Sequence, residues 1–195
     1  MSAPRVTPAS LRPTIPVWAV ISPERIEHVE RVAALVVRWA EEMGVPDSER
    51  NRWLRAVWLH DALRDATDDV LTTWAPSAPG PAELRHGPAS AARAKADGEL
   101  DRGVLDAVRY HSLGLAEWDM VGRALYCADY LEPDRPFGRE DREELADRFP
   151  RDPGGVLRKV AQTRLIHTVS SGWPLADPTV RFWNSLVARA LSASV

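Results

Sequence analysis

The chain of 195 residues is 45% hydrophobic and 27% charged, the proportions of an ordinary globular domain. They exclude global disorder, a collagen-like repeat and a disulfide-stapled scaffold. A net charge of −3 and a pI near 6.0 lack the basic footprint of a nucleic-acid binder, and no run reaches the roughly 18 consecutive apolar residues of a membrane span. The single cysteine, Cys127, has no partner for an internal disulfide, so a cytoplasmic protein without nucleic-acid or membrane partners is expected. Lys95 and Lys159 are the only lysines among 25 basic residues. Arginine is therefore the default cation here, and one arginine taken alone is a weak signal.

Residues 1–21 hold Pro4, Pro8, Pro13 and Pro16 among serines and threonines and read as a loosely ordered arm before one domain, 22–195. Ser22 as N-cap, Pro23 at the first helical position and Gly44 as a stop bracket the first helix. Ile26, Val29, Ala33, Val36, Ala40 and Met43 recur along it at helical spacing. A neighbouring row of His28, Val32, Leu35 and Trp39 aims His28 inward. The second helix starts at Asp47 and runs through Trp53, Leu54, Val57 and Trp58 to His60 and Asp61. Prolines within 74–81 force a loop, and a short Ala-rich helix is expected to follow His86 and stop near Gly98. Val104, Val108 and His111 share a face of the next helix. Trp118, Gly122, Leu125 and Asp129 share a face of the one after, which Pro133 ends. Helices over 156–170 and after Asp177-Pro178, the latter carrying Phe182, Trp183, Leu186 and Ala190, complete the set. No stretch alternates with period two, so the fold is all-α.

Of the five histidines, His28, His60 and His111 fall on inward rows; His86 and His167 are the others. Asp61 follows His60 directly, and Asp129 faces inward far downstream. A buried carboxylate is costly unless it is paired or bound to metal. Two inward carboxylates converging with several imidazoles suit one or two transition-metal ions. Adjacent residues on a helix project about 100° apart, so one of the His60-Asp61 pair can bind a single ion while the other bridges two. Each histidine taken singly reads as an ordinary core residue with a satisfied hydrogen bond. The signal lies in the joint pattern.

His28 in Arg25-Ile26-Glu27-His28-Val29, then Leu59-His60-Asp61, His86-Gly87-Pro88, Arg109-Tyr110-His111-Ser112 and Ala128-Asp129-Tyr130-Leu131-Glu132-Pro133 together resemble the HD-domain metallohydrolases. Among them the chain is most similar to the YqeK-like family of symmetrical bis(5'-nucleosyl)-tetraphosphatases. The likeness runs from about Ser22 to the segment from Asp177 to Asn184. It implies an HD-domain helical bundle around a dinuclear centre ligated by His28, His60, Asp61, His86, His111 and Asp129, with Asp61 bridging. Two divalent or trivalent ions are implied, iron first, with manganese or another transition metal as alternatives. His167 matches no motif position and is given no chemical role.

The resemblance implies symmetrical cleavage of diadenosine tetraphosphate to two ADP. Two ions about 3.5–4 Å apart would generate a bridging hydroxide at neutral pH and offset charge on the phosphoryl group. Cys127, mid-helix with no base partner, is not a nucleophile. Arg64, one turn beyond His60, stands where the family commonly has lysine and is assigned to phosphate binding or transition-state charge. Asp65 orients the attacking water or Arg64, the alternative being a solvated helix-end carboxylate. Ser112 and Arg135 are assigned to substrate binding. The loop 72–84 could wall the nucleotide, with Trp74 stacking on a base; an ordinary surface connection is the alternative.

Two departures from the family pattern bear on the substrate. After His111 the family usually has a threonine-rich turn ending in a basic residue, whereas here Ser112-Leu113-Gly114-Leu115 keeps a hydroxyl and lacks the cation. The segment before His86 is also short and irregular. They motivate an alternative, an HD-domain phosphohydrolase acting on another nucleotide or phosphoester. A third reading is a catalytically silent nucleotide- or partner-binding helical module, suggested by the eight tryptophans. A small nucleotide is the expected partner, and a homodimer is left open.

Overall fold

The computed structural model describes residues 15–78, 82–134 and 138–192. Among these residues nine helices follow one another with no strand: α1 (Pro23–Glu42), α2 (Asp47–His60), α3 (Asp68–Trp74), α4 (Ala82–Ala96), α5 (Arg102–Tyr110), α6 (Met120–Leu131), α7 (Arg139–Arg148), α8 (Pro153–Ser170) and α9 (Asp177–Ser192). The all-α expectation holds. Local chemistry starts several of them. The Ser22 hydroxyl accepts the Arg25 N–H at the head of α1, and the Asp101, Asp119 and Asp152 carboxylates cap α5, α6 and α8 in the same way. Gly44 leaves α1 with φ at 63°, in the left-handed region that favours glycine.

Helix α6 is central, touching α1, α2, α5, α7 and α8. Nine of its twelve residues are buried, which is why its sequence is apolar nearly all round. Trp39 of α1 stacks on Phe149 at 3.9 Å between ring centroids, and its indole N–H donates to the Ala146 carbonyl at 2.7 Å, fastening α7 to the bundle. Trp53 and Trp118 are also buried, so three of the four tryptophans read as apolar-row residues serve packing outright, and Trp58 packs on the same core half-buried. A smaller core of Leu63, Leu71, Ala75 and Ala89 fills the space under α3 and α4.

Three features differ from expectation. Helix α4 begins at Ala82, so His86 lies inside a helix rather than ahead of one, and Pro88 falls within it. Helix α3 occupies part of the expected loop 72–84, and it is short and rich in β-branched residues, which weakens any periodic signal. Helix α7, Arg139–Arg148, is nearly all charged and buries only Arg142 and Ala146, so no apolar stripe announces it. Residues 15–21, assigned to the arm, run along the turn after α2. There the Val20 N–H donates to the Ala62 carbonyl, and the Asp65 N–H donates to the Val20 carbonyl. Residues 1–14 of that arm lie outside the described residues.

Candidate metal centre

Five helices deliver side chains to one buried point. His28 comes from α1, His60 is the last residue of α2 and Asp61 its C-cap, His86 lies on α4, His111 caps α5, and Asp129 lies on α6. All six are buried. His60, the last residue of α2, and His111, the cap of α5, both stand at helix ends, where the last carbonyls lack an intrahelical partner. Each ring uses one: His60 Nδ1–H donates to Val57 O at 2.6 Å, and His111 Nδ1–H to Val108 O at 2.8 Å. Both Nε2 lone pairs are thereby turned toward the centre.

Asp61 sits between two groups of donors. Its Oδ1 lies 3.1 Å from His86 Nε2 and 3.6 Å from His111 Nε2, while its Oδ2 lies 3.7 Å from His60 Nε2. His28, His60 and Asp61 can place ligand atoms within 4.8 Å of one another, and so can Asp61, His86 and His111. Asp129 joins the first group through its Oδ1, 3.2 Å from His28 Nε2. His60 Nε2 is buried and has no hydrogen-bond partner. A buried polar atom without a partner is costly, and an imidazole lone pair aimed at a carboxylate is the donor that a transition-metal ion takes. The residues fit a pair of such ions sharing Asp61.

Charge states agree with that use. Burial pushes both His60 and His111 down, the latter to about 3, so both rings are neutral at pH 7, the form that ligates metal. Burial works to raise Asp61, but His60, His86 and His111 together hold it well below the ordinary carboxylate range. Burial pushes the Cys127 thiol up, which removes it further from thiolate chemistry.

Of the other expected site residues, Arg64 and Asp65 lie beside the histidines of the centre. Arg64 Nη1 donates to Glu83 O at 3.0 Å and lies 3.2 Å from His86 Nδ1. The Asp65 carboxylate accepts the Ser22 N–H at 2.7 Å and lines a cavity of about 210 Å³ with Arg25, His28, Arg31 and Glu132. The Ser112 carbonyl accepts from Arg164 at 3.5 Å. Arg135 lies outside the described residues. Trp74 ends α3, and its ring lies 5.0 Å from the Arg93 guanidinium carbon, which also sits 5.4 Å from the Trp18 ring; an arginine, not a base, is its neighbour. His167 is exposed against Trp173.

Three supporting residues have no role in the sequence reading. Glu132, quoted there only as part of a motif, accepts from His28 Nδ1–H at 3.2 Å and from Arg31 Nε–H at 2.8 Å. Burial would raise its pKa, but those two donors pull it to about 2. Arg25 Nη1 lies 3.3 Å from Asp61 Oδ2, and Arg164 Nη1 lies 3.6 Å from Asp129 Oδ2. The available signal for Glu132 was its place in the Ala128-to-Pro133 motif, three residues beyond the inward-facing Asp129. For Arg164 there was none, because only tertiary packing brings α8 to the site.

The family described as HD domain matches residues 25–134, more than half of the chain. A symmetrical bis(5'-nucleosyl)-tetraphosphatase of Bacillus subtilis is 30% identical over 108 residues, covering 54% of this chain and 56% of the relative. The protein of the same description from Halalkalibacterium halodurans is 26% identical over 106 residues, again covering 54% and 56%. The chain thus spans little more than half the length of these curated relatives. A crystal structure from Clostridium acetobutylicum, described as a predicted HD superfamily hydrolase involved in NAD metabolism, superposes with a TM-score of 0.71 at 21% identity, over 86% of this chain and 91% of that one. That likeness establishes the fold.

Proposed function

The chain belongs to the HD-domain family, and from that premise we propose that it is a metal-dependent phosphohydrolase cleaving diadenosine tetraphosphate symmetrically into two ADP. The observation that carries the reading is the placement of Asp61, with histidine nitrogens facing both of its oxygens and Arg25 and Arg64 at the rim. The description shared by the two curated relatives supplies the substrate.

His28, His60 and Asp129 would hold one ion, His86 and His111 the other, with Asp61 common to both; iron is the first candidate and manganese the next. Bound ions supply Lewis acidity, which acidifies water at neutral pH and offsets phosphoryl charge. The remaining work falls to the chain's own groups. Glu132 fixes the tautomer of His28 by accepting its Nδ1 proton. Arg64 and Arg25 place cationic donors where negative charge accumulates on a polyphosphate. Asp65 holds the Ser22 backbone across the cavity mouth, and Ser112 and Arg135 serve the substrate's outer phosphates.

Metal-reconstituted protein incubated with the dinucleotide, with products resolved by ion-exchange chromatography, tests the reading. ADP as sole early product is expected. AMP with ATP would overturn the symmetrical cleavage. No product from metal-loaded protein favours the second reading, another nucleotide or phosphoester, for which the half-buried Leu113 and Leu115 in a turn without a cation are the specific observation.

A further inference from the structure

We propose that Arg164 is a phosphate-binding residue of this centre, reaching it from α8, outside the segment that matches the family. The inference rests on the phosphohydrolase reading and adds to it a residue at the Asp129 edge.

The guanidinium is held in place on two sides. Its carbon lies 4.5 Å from the centroid of the Tyr126 ring, close enough for a cation–π contact that fixes its plane. Nη2 donates to the Ser112 carbonyl at 3.5 Å, a long bond that positions more than it binds. Nη1 is buried and makes no hydrogen bond; it is ion-paired with Asp129 Oδ2 at 3.6 Å, a separation beyond hydrogen-bond reach. A guanidinium carries only donors, and a buried donor left unmet is costly. The unmet donor is directed at the edge of the metal-ligand group, between Asp129 and the turn after His111. That turn, residues 112–115, has no cation of its own. A phosphate oxygen seated there would satisfy Nη1 and could take Nη2 with it, the paired geometry in which arginine binds phosphate. The matched family segment, residues 25–134, contains all six candidate ligands, and Arg164 is not one of them. Its contribution is to affinity for a polyphosphate chain.

The competing account is that Arg164 only steadies Asp129. Binding of inorganic tripolyphosphate to metal-loaded protein, measured calorimetrically beside elemental analysis, separates the two. Arg164→Gln should raise the Kd for tripolyphosphate about tenfold or more while leaving metal content at the wild-type value. Arg164→Lys, which keeps the charge without the planar fork and serves if the glutamine variant fails to fold, should fall between. Arg158→Gln, on an exposed part of the same helix, should bind as wild type does. Wild-type affinity in both Arg164 variants overturns the proposal, as does loss of metal together with loss of affinity. Should the dinucleotide go uncleaved while tripolyphosphate binds and Arg164→Gln weakens it, the tetraphosphate reading fails and the role of Arg164 stands. No binding by loaded wild-type protein ends both.

Discussion

Glu132 shows how one side chain can prepare a histidine to ligate a metal. With Arg31 and His28 both donating to it, it stays ionised in a buried setting and keeps the His28 Nδ1 proton on the side away from Asp129. Glu132→Gln removes the charge while retaining a carbonyl acceptor, and should weaken metal affinity about 10- to 100-fold with the fold intact. Competition against a chelator measures this; unchanged affinity would mean that His28 needs no orienting partner. At the same scale, Asp101 accepts from Arg52 at 2.6 Å, a bond that pulls its pKa to about 2. Its folded pKa lies below an unfolded value of about 3.9, so the ionised carboxylate stabilises the fold above about pH 4, and that contribution fades as pH falls toward 2. Asp101→Asn should therefore cost about 1–2 kcal/mol near neutrality, given the partial exposure of the pair. The gap in melting temperature from wild type should close on acidification. A gap independent of pH would contradict the assignment.

Between elements, the decisive contact is the crossing of α4 and α5. A Cβ at Gly87 would sit 3.0 Å from the carbonyl oxygens of Val108 and Arg109 and 3.2 Å from His111 Cε1. The glycine lets His86 and His111 bring their Nε2 atoms to 3.0 Å. Gly87→Ala should cost about 1–3 kcal/mol through overpacking and lower metal occupancy as well, read by denaturant unfolding and elemental analysis; full occupancy with wild-type stability would show that the crossing has slack. This contact also marks what could be read from the sequence. His28, His60 and Asp129 sit on helical rows whose period shows which way they face, and Ser22-Pro23 announces α1. His86 carries no such signal, since Gly87-Pro88 reads as a break, and it enters the ligand set through the family resemblance alone. The α4–α5 crossing, the hold of Glu132 on His28 and the reach of Arg164 depend on packing between distant segments, which periodicity does not encode.

Across the whole molecule, α8 and α9 buttress the turn that follows His111. Its carbonyls are taken in succession by Arg164 at Ser112, by Thr179 at Leu113 and by Arg189 at Ala116. Phe182 closes under Gly114, whose φ of 87° and close approach to that ring require glycine. Phe182→Ala should cost about 3–5 kcal/mol and, by loosening the turn, raise KM for the nucleotide more than it lowers metal content. Equal losses in both would place the damage in the bundle as a whole. Helices outside the family-matched segment thus support the turn proposed to wall the substrate, while those within it carry the candidate ligands.

Six side chains from five helices are proposed to hold two ions about a shared carboxylate. Elemental analysis of purified protein reconstituted with iron or manganese tests this most directly, with Asp61→Ala measured alongside. Two ions per chain in the wild type, and fewer than one in Asp61→Ala, is the predicted result. One ion or none in the wild type, or two retained without Asp61, would contradict it.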